Sequence, residues 1–459
     1  MIKKEITMLI VILLFSVLSN IFATSQFVIQ PLSFVEYKSN GGLWNISEKG
    51  STTLAGLGVS ASTKLNNWNV AGTFIAVGIS GKIHNKLFDF SSRQGLPFLD
   101  SSKDGTTHWV EIAKTKISYN QTNFTFEFGK FDRQWGSSTH SILISNKSPS
   151  YPQFGFDWDI TSNLRFIYFH GFLKSQIPDS VRADTYNGIG KRSFDLPRSI
   201  AGHRLEWSPT SNLTLGATES VVYGSRQIDF HYLMPFTSLW HMENHLGDID
   251  NAQVGLDVSC AIKENSKLYF SLYIDEWTPE WTFKNTNHNW FAYQTGFNWK
   301  NIIRKLDKLT LEYTWTDHRI YRHRFPVNNY YSHGYPLGFW AGPHSEDVYV
   351  EYHASILNSE ITLRYSDTKR GQLTDKMLED QYEDVEYERY SGGAGYEHRK
   401  MVELLIHRYY LNNQVEGQFG LEYIDWHNAG FDPFDSDPEE GNDVEKWSLV
   451  FNVFYNFKL

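Results

Sequence analysis

Two stretches of the chain concentrate side chains that are suited to binding sugars. Residues 132–150 contain an Arg-Gln-Trp run, and residues 235–281 place tryptophans among histidines, carboxylates and amides. Aromatic rings stack on the apolar faces of sugars, while planar carboxylate, amide and guanidinium groups hydrogen-bond their hydroxyls. With Trp281 as a further aromatic, the predicted polysaccharide-binding or loop-organising residues are Arg133, Gln134, Trp135, Asn146, Trp240, His241, Glu243, Asp248, Asp250, Asn251, Asp275 and Trp277.

A structural role is the alternative for each of these residues. Arg133 could form a bidentate pair with the carboxylate of a uronic acid in an acidic polysaccharide. It could equally pair with Asp275 in a network that holds loops inside a barrel. Aromatic side chains in surface loops could also anchor the protein at the lipid interface. The sequence leaves these alternatives open.

Metal binding and catalysis are less favoured chemistries for the same residues. The group His241, Glu243, His245, Asp248 and Asp250 mixes hard carboxylates with imidazoles, and no regular element fixes their directions, so we predict no metal site and no cofactor. The chain has no diagnostic glycosidase carboxylate pair, phosphate-binding loop, nucleophile elbow or zinc-protease helix. We therefore predict a binding protein and not an enzyme, with a surface deacylase or protease as the last-ranked alternative.

The elements around these residues are predicted to be β-hairpins with one apolar and one polar face. From 251 to 263, Ala, Val, Leu, Val, Cys and Ile alternate with Asn, Gln, Gly, Asp, Ser, Ala and Lys. After a turn at 264–266 the alternation resumes to Asp275. This period of two is typical of a strand with lipid on one side and a polar lumen on the other. Cys260 falls on the apolar face, where it is interpreted as a small hydrophobic residue.

The composition indicates an exported membrane barrel. Aromatic residues make up 16% of the chain although its mean hydropathy is −0.42. A barrel combines these properties because every second strand residue is polar and aromatic girdles flank the lipid. Lys3 and Lys4 precede a short apolar run, which predicts a signal peptide over 1–25. Removing Lys3, Lys4 and Glu5 changes the net charge from −10 to −11, which disfavours nucleic acid as a partner.

Alternation along the chain predicts a transmembrane antiparallel β-barrel of about 18 strands, with 16 as the fallback, in a single domain over 26–459. Eight strand pairs with short turns are separated by long loops, which are expected outside the cell. One further strand is predicted at each end, near 31–40 and 445–459. The predicted pairs are 51–63 with 67–79, 108–119 with 122–131, 151–160 with 163–174, 198–208 with 212–224, 251–263 with 266–277, 289–301 with 307–318, 345–356 with 359–368, and 396–410 with 414–425.

Two strands depart from this pattern. Glu219 interrupts the apolar face of 213–223, and 163–174 is apolar on both faces. A strand that is apolar on both faces is expected to pack against a folded-in loop, so we predict a lumen plugged by loops. The polar lumen is predicted to carry Asp257, Glu312, Glu351 and Glu422.

Several motifs, in order, give a resemblance to the Wzi-type capsule-assembly family of outer-membrane proteins. They are Gly129-x-x-x-Arg133-Gln134-Trp135-Gly136, Leu143-Ile144-Ser145-Asn146, Pro235-Phe236, Trp240-His241-x-Glu243, Gly247-Asp248-x-Asp250-Asn251 and Asp275-Glu276-Trp277-Thr278-Pro279. The resemblance implies an 18-stranded barrel that binds capsular polysaccharide as a lectin without catalysis. The chain departs from enterobacterial members in two ways: residues 26–50 are too few for a periplasmic helical bundle, and a single Trp precedes Gly136.

The resulting prediction is an outer-membrane, lectin-like protein that binds and organises capsular or exopolysaccharide at the surface of a Gram-negative-type bacterium. Its expected partners are that polysaccharide, outer-membrane lipid and the barrel-assembly machinery, and it is expected to be a monomer. The alternative is a substrate-selective porin, because an 18-stranded barrel is wide enough for an aqueous channel.

Overall fold

The fold is a closed antiparallel β-barrel. The structure is a computed structural model, and it describes residues 26–81, 90–97, 100–101, 107–183, 194–282, 284, 289–379, 389–390, 395–435 and 440–456. Within these ranges each long strand pairs with the next, and the first pairs with the last from Leu32 opposite Asn456 to Lys38 opposite Val450. Eighteen wall strands result, as predicted.

The wall strands are numbered β1 to β18 in chain order. They are β1 Gln26–Lys38, β2 Thr52–Leu65, β3 Trp68–Gly81, β4 Thr107–Asn120, β5 Phe124–Phe131, β6 Tyr151–Thr161, β7 Leu164–Pro178, β8 Asp195–Thr210, β9 Leu213–Gly224, β10 Asn251–Lys263, β11 Ser266–Glu276, β12 Trp290–Lys300, β13 Lys308–Thr316, β14 Ser345–Ile356, β15 Ser359–Gly371, β16 Tyr396–Tyr410, β17 Val415–Ala429 and β18 Asn442–Asn456. The predicted eight pairs lie within a few residues of these bounds.

Shorter elements lie in the connections between wall strands. Three helices are described, α1 Ser180–Ala183, α2 Leu239–Leu246 and α3 Asp375–Glu379, with short 3-10 segments at Ser39–Trp44, Phe230–Leu233, Pro279–Trp281 and Pro326–Asn328. Asp100–Ser101 pairs with β4, and Tyr331–Ser332 pairs with Tyr335–Pro336. No helix in the described part of the chain is long and apolar enough to span a membrane. The predicted signal peptide lies outside the described residues.

The two faces of the wall follow the predicted alternation. In β10, Gln253 and Asp257 are buried whereas Leu256 is exposed, and in β13, Glu312 is buried whereas Leu311 is exposed. The buried polar residues line the lumen, and the exposed apolar residues form the outer face of the wall. The closed wall leaves every central strand paired on both sides, as a barrel in lipid requires.

Three long connections pack inside the lumen, and we call their described residues 90–97, 132–150 and 317–344 the plug loops. Ile142, Leu143 and Ile144 are almost fully buried and join one apolar cluster with Phe90 and Phe339. The two larger loops are also joined through their backbones, because Ser145 N donates to Leu337 O at 2.7 Å.

The strand β7, which is apolar on both faces, is covered on both. Its Phe169 faces the lumen and contacts the ring of Trp135 edge-on at 5.3 Å. Its Tyr168 faces outward, where its hydroxyl donates to Tyr232 O at 2.9 Å. One face therefore packs against Trp135, and the other packs against residues 225–250, which the pattern does not predict.

Candidate functional site

The Arg133 side chain is held inside the barrel. Its Nε donates to Gln153 Oε1 at 2.8 Å, its Nη2 lies 3.3 Å from Glu127 Oε2, and its guanidinium lies 4.6 Å from the centre of the Phe169 ring. The suggested pair with Asp275 is wrong, because Asp275 instead accepts the backbone N–H of Tyr321 at 2.7 Å. The two residues are separated because of the way the loop that carries Arg133 folds. Spacing along the chain does not reveal this direction.

The neighbouring candidates also organise the plug. Gln134 Nε2 donates to Ser138 O at 2.9 Å, and Trp135 is 4% exposed. Burial would raise the pKa of nearby Asp132, but hydrogen bonds from Lys114, Ser150 and Gln94 lower it below its usual value. By contrast, Asn146 is exposed on the surface of its loop.

Asp250 and Asn251 anchor the start of β10. The Asp250 carboxylate accepts two bonds from Arg226, at 2.8 and 2.5 Å, and one from the Tyr232 hydroxyl at 2.7 Å. Asn251 Nδ2 donates to Asn328 O at 3.0 Å. Both side chains are buried and form hydrogen bonds within the protein. They therefore hold the loops in place.

Trp240, His241 and Glu243 lie on α2. Ser238 caps the start of this helix through a contact between its hydroxyl and His241 N, and Gly247 ends it with a left-handed φ of 103°. Trp240 and His241 are exposed, whereas Glu243 is buried near Asp248 and Asp250. Across the described residues, no group of three or more His, Cys, Asp or Glu side chains is arranged to hold a metal ion.

A group of exposed aromatic and charged side chains lies at the long-loop end of the barrel, and we call it the mouth patch. It comprises Asp248, Glu276, Trp277, Arg324 and Phe325. Trp277 is 48% exposed, and its Nε1 donates to Thr282 Oγ1 at 3.1 Å, which fixes the indole. Phe325 is 47% exposed and lies 5.4 Å from the Arg324 guanidinium.

Electrostatic contacts connect the three segments of the mouth patch. Arg324 Nη2 lies 3.5 Å from Asp248 Oδ2 and also donates to the Asp248 backbone carbonyl. Glu276 is close enough to Arg324 and Asp248 to interact with both charges. Burial and the adjacent Arg324 lower the pKa of His323 to about 4, and its Nδ1 accepts the N–H of Phe325 at 3.1 Å. Neutral His323 thus leaves Arg324 as the cation beside these carboxylates.

A polar cavity of about 620 Å³ lies in the lumen between the plug loops and the wall. Trp44, His140 and Trp340 contribute to its lining. Its charged groups are largely paired, as in Lys38–Glu422 at 2.8 Å and Arg364 with Glu351 and Glu403 at 2.7 and 2.9 Å. An aqueous route through the barrel would use this space.

The family model described as capsule assembly protein Wzi matches residues 60–429, which is more than half of the chain. The chain belongs to this family. It is accordingly an outer-membrane β-barrel of the Wzi capsule-assembly family. No curated protein sequence matches it.

Solved structures share the fold of this Wzi-family chain at low sequence identity. The carbohydrate-binding barrel Wzi of Escherichia coli, which is involved in group 1 capsule assembly, is 14% identical with a TM-score of 0.56, over 94% of this chain and 85% of that one. Pseudomonas aeruginosa OpdK, solved with vanillate, is 8% identical with a TM-score of 0.50, over 95% and 99% of the two chains. Both likenesses concern the fold alone.

The sequence of this Wzi-family member predicts only part of the mouth patch. Asp248 and Trp277 are among the predicted residues, whereas Glu276, Arg324 and Phe325 are not. The run Arg322-His323-Arg324-Phe325 in a predicted long loop was a usable signal, since it combines basic and aromatic side chains. What the sequence did not reveal is that this loop meets the segments around Asp248 and Trp277.

Proposed function

We propose that this protein binds capsular or extracellular polysaccharide noncovalently at the cell surface, and that the mouth patch contributes the contacts. Membership in the Wzi family supports this proposal, and Escherichia coli Wzi, which shares the fold, is a carbohydrate-binding barrel. The observation that carries it is the exposure of Phe325 beside Arg324 and of Trp277 next to Glu276, because Arg324 interacts with both Glu276 and Asp248.

The chemistry of the mouth patch suits a sugar chain. The two rings offer apolar faces for stacking, and the guanidinium and carboxylates offer donors and acceptors for hydroxyl groups. Arg324 could also pair with a carboxylate of an acidic polysaccharide. The predicted role of buried Arg133 in such a pair is therefore transferred to Arg324, while Arg133 is proposed to organise the loop.

A binding titration tests the proposal. Purified protein in detergent is titrated with the native polysaccharide, and Trp277→Ala and Arg324→Ala are each expected to weaken binding about tenfold, equivalent to about 1.4 kcal/mol. Trp299→Ala is the matched control, because Trp299 is 41% exposed on the wall beside the short turn that follows Lys300, at the opposite end of its strand from the long loops. Absent binding by the unmodified protein would overturn the function, and equal binding by Trp277→Ala and Trp299→Ala would overturn the site.

We also propose that the protein does not catalyse a reaction and that it is a monomer. It is inserted by the assembly machinery and is surrounded by outer-membrane lipid. The mass of the polysaccharide is expected to be unchanged after incubation with the protein. A shortened or deacylated product would favour the enzymatic alternative. The porin alternative is supported by the polar lumen cavity and is tested by conductance below.

A further inference from the structure

Residues 225–250 lie against the outer face of the barrel wall. Residues that pair across neighbouring strands share a face, and Arg204 and Asp257 face the lumen, where they form an ion pair at 2.5 Å. His203 and Glu219, which pair with each other, therefore face outward. On this outward face Tyr232 and Leu239 are fully buried against Ala201, Val221 and Tyr223.

The outer wall supplies hydrogen-bond partners for this irregular stretch of backbone. Tyr168 donates to Tyr232 O at 2.9 Å, and His203 Nδ1 lies 3.1 Å from Pro235 O. Glu219 accepts the N–H of Leu239 at 2.8 Å and lies 3.0 Å from His203 Nε2. Non-helical backbone at membrane depth requires protein partners of this kind, because lipid offers none. These contacts explain why the charged residue Glu219 interrupts the apolar face of its strand.

The segment reaches far along the wall. It begins and ends at the long-loop end, after Gly224 and before Asn251. Between these points the Phe236 ring comes within 5.0 Å of Phe166 and 6.3 Å of Trp158. These two residues lie close to the short turn that joins β6 at Thr161 to β7 at Leu164. Phe236 is therefore near the opposite end of the wall from the mouth patch.

The surface that this segment turns away from the wall is apolar in its deeper part. Phe230, Met234 and Phe236 are 79%, 43% and 69% exposed, and they continue the exposed apolar outer wall. The outward side of α2 instead carries Trp240, His241, Asn244 and His245. Aromatic and polar side chains of this kind are typical of the membrane–water interface.

We propose that residues 230–246 form an outer-wall segment that is embedded in the outer membrane and contacts lipid through Met234 and Phe236. In this arrangement α2 carries its polar outward side from the middle of the wall, where Leu239 binds Glu219, toward the interface at the long-loop end, and the segment is not displayed as a glycan-binding loop. Lipid is the occupant that the geometry favours, because the exposed side chains are continuous with a wall that already faces lipid. The inference is independent of whether the mouth patch binds polysaccharide.

Spin labels test the position of the segment, and the single cysteine makes the design simple. Phe236→Cys and Met234→Cys are each made with Cys260→Ser, labelled, and reconstituted in phosphatidylcholine vesicles. We expect relaxation by oxygen, which partitions into lipid, to be high, and relaxation by a water-soluble nickel chelate to be several-fold lower. Two positions are used so that a substitution that disturbs packing at one of them does not decide the result.

Two reference labels bracket the result. Label on the natural Cys260, which lies on the apolar face of β10, reports the lipid-facing wall, and Trp277→Cys with Cys260→Ser reports the external mouth. Labels at 234 and 236 should resemble the Cys260 label. Nickel accessibility equal to that of the Trp277→Cys label would overturn the proposal, and so would shielding from both reagents, which indicates a protein neighbour.

Discussion

The hydroxyl of Tyr321 donates a hydrogen bond to the backbone carbonyl of Ile142 at 2.5 Å and thereby joins two plug loops. The same oxygen accepts the N–H of Phe339 at 3.1 Å. Tyr321 is fully buried, as are Ile142 and Phe339. The two loops consequently behave as one packed body, and the stability of either depends on the other.

Tyr321→Phe should loosen both loops together. The change leaves a buried carbonyl and a buried N–H without this partner, which costs about 1–3 kcal/mol for each group. Hydrogen exchange of residues 132–150 and 317–344 is expected to accelerate in parallel. Tyr313→Phe is the control, because Tyr313 is 42% exposed on the outer wall. Faster exchange in only one loop would contradict their coupling.

Glu312→Ala should make the barrel conduct ions. Glu312 accepts the N–H groups of Thr139 and His140 at 2.5 and 3.4 Å, so its loss releases the tip of loop 132–150 from the lumen wall. In planar bilayers we expect the unmodified protein to be nearly silent and the variant to show frequent openings. Glu351→Ala is the control, since the Glu351 carboxylate accepts its hydrogen bonds from Arg364 and Tyr349 on the wall. Large, stable conductance of the unmodified protein would favour the porin alternative.

Acidification should open loop 317–344. Burial lowers the pKa of His318 to about 4 and that of His344 to about 3, and nearby Arg319 and Arg389 act in the same direction on His318. The released loop takes up protons near pH 6.5, whereas the packed loop does not. Stability is therefore complete above pH 6.5 and falls toward pH 4, by about 2 kcal/mol per histidine at pH 5.

Hydrogen exchange at pH 7.5 and pH 5, corrected for its intrinsic pH dependence, measures this opening. The double variant His318→Gln and His344→Gln removes both titrating groups and should lose most of the pH response. An unchanged response in this variant would assign the effect to other groups, and equal protection of the unmodified loop at both pH values would refute the expectation.

The barrel could be predicted because the alternation of apolar and polar residues is visible within each strand separately. In β13, Leu309, Leu311, Tyr313 and Trp315 alternate with polar residues, and lipid on one side of the wall imposes that alternation on each strand. The structure places Glu312 in the lumen and Leu311 outside, as expected. Short turns then set the register of each pair, so the strand count follows from counting alternations.

The course of the long loops could not be predicted in the same way. No periodic sequence pattern predicts that Asp275 contacts Tyr321 or that Asp248 contacts Arg324, because these contacts join segments that are far apart along the chain. Burial of Trp135 and exposure of Trp277 depend on which way each loop folds. Local clues to the loops were few, and one of them was Glu219, a charged residue on an apolar face that accepts the N–H of Leu239 in the structure.

Glu219→Ala should detach the outer-wall segment. The substitution removes the acceptor of Leu239 N and of Ser238 Oγ and leaves His203 facing lipid without its carboxylate. Each lost bond to this charged acceptor contributes about 1.5–3 kcal/mol, so α2 should separate from the wall before the barrel unfolds. Added protease is expected to cut residues 225–250 in the variant and to spare them in the unmodified protein. Glu219→Gln keeps an acceptor for Leu239 N and should remain largely protected. Cleavage of the unmodified segment at the variant's rate would show that the wall contacts do not hold it.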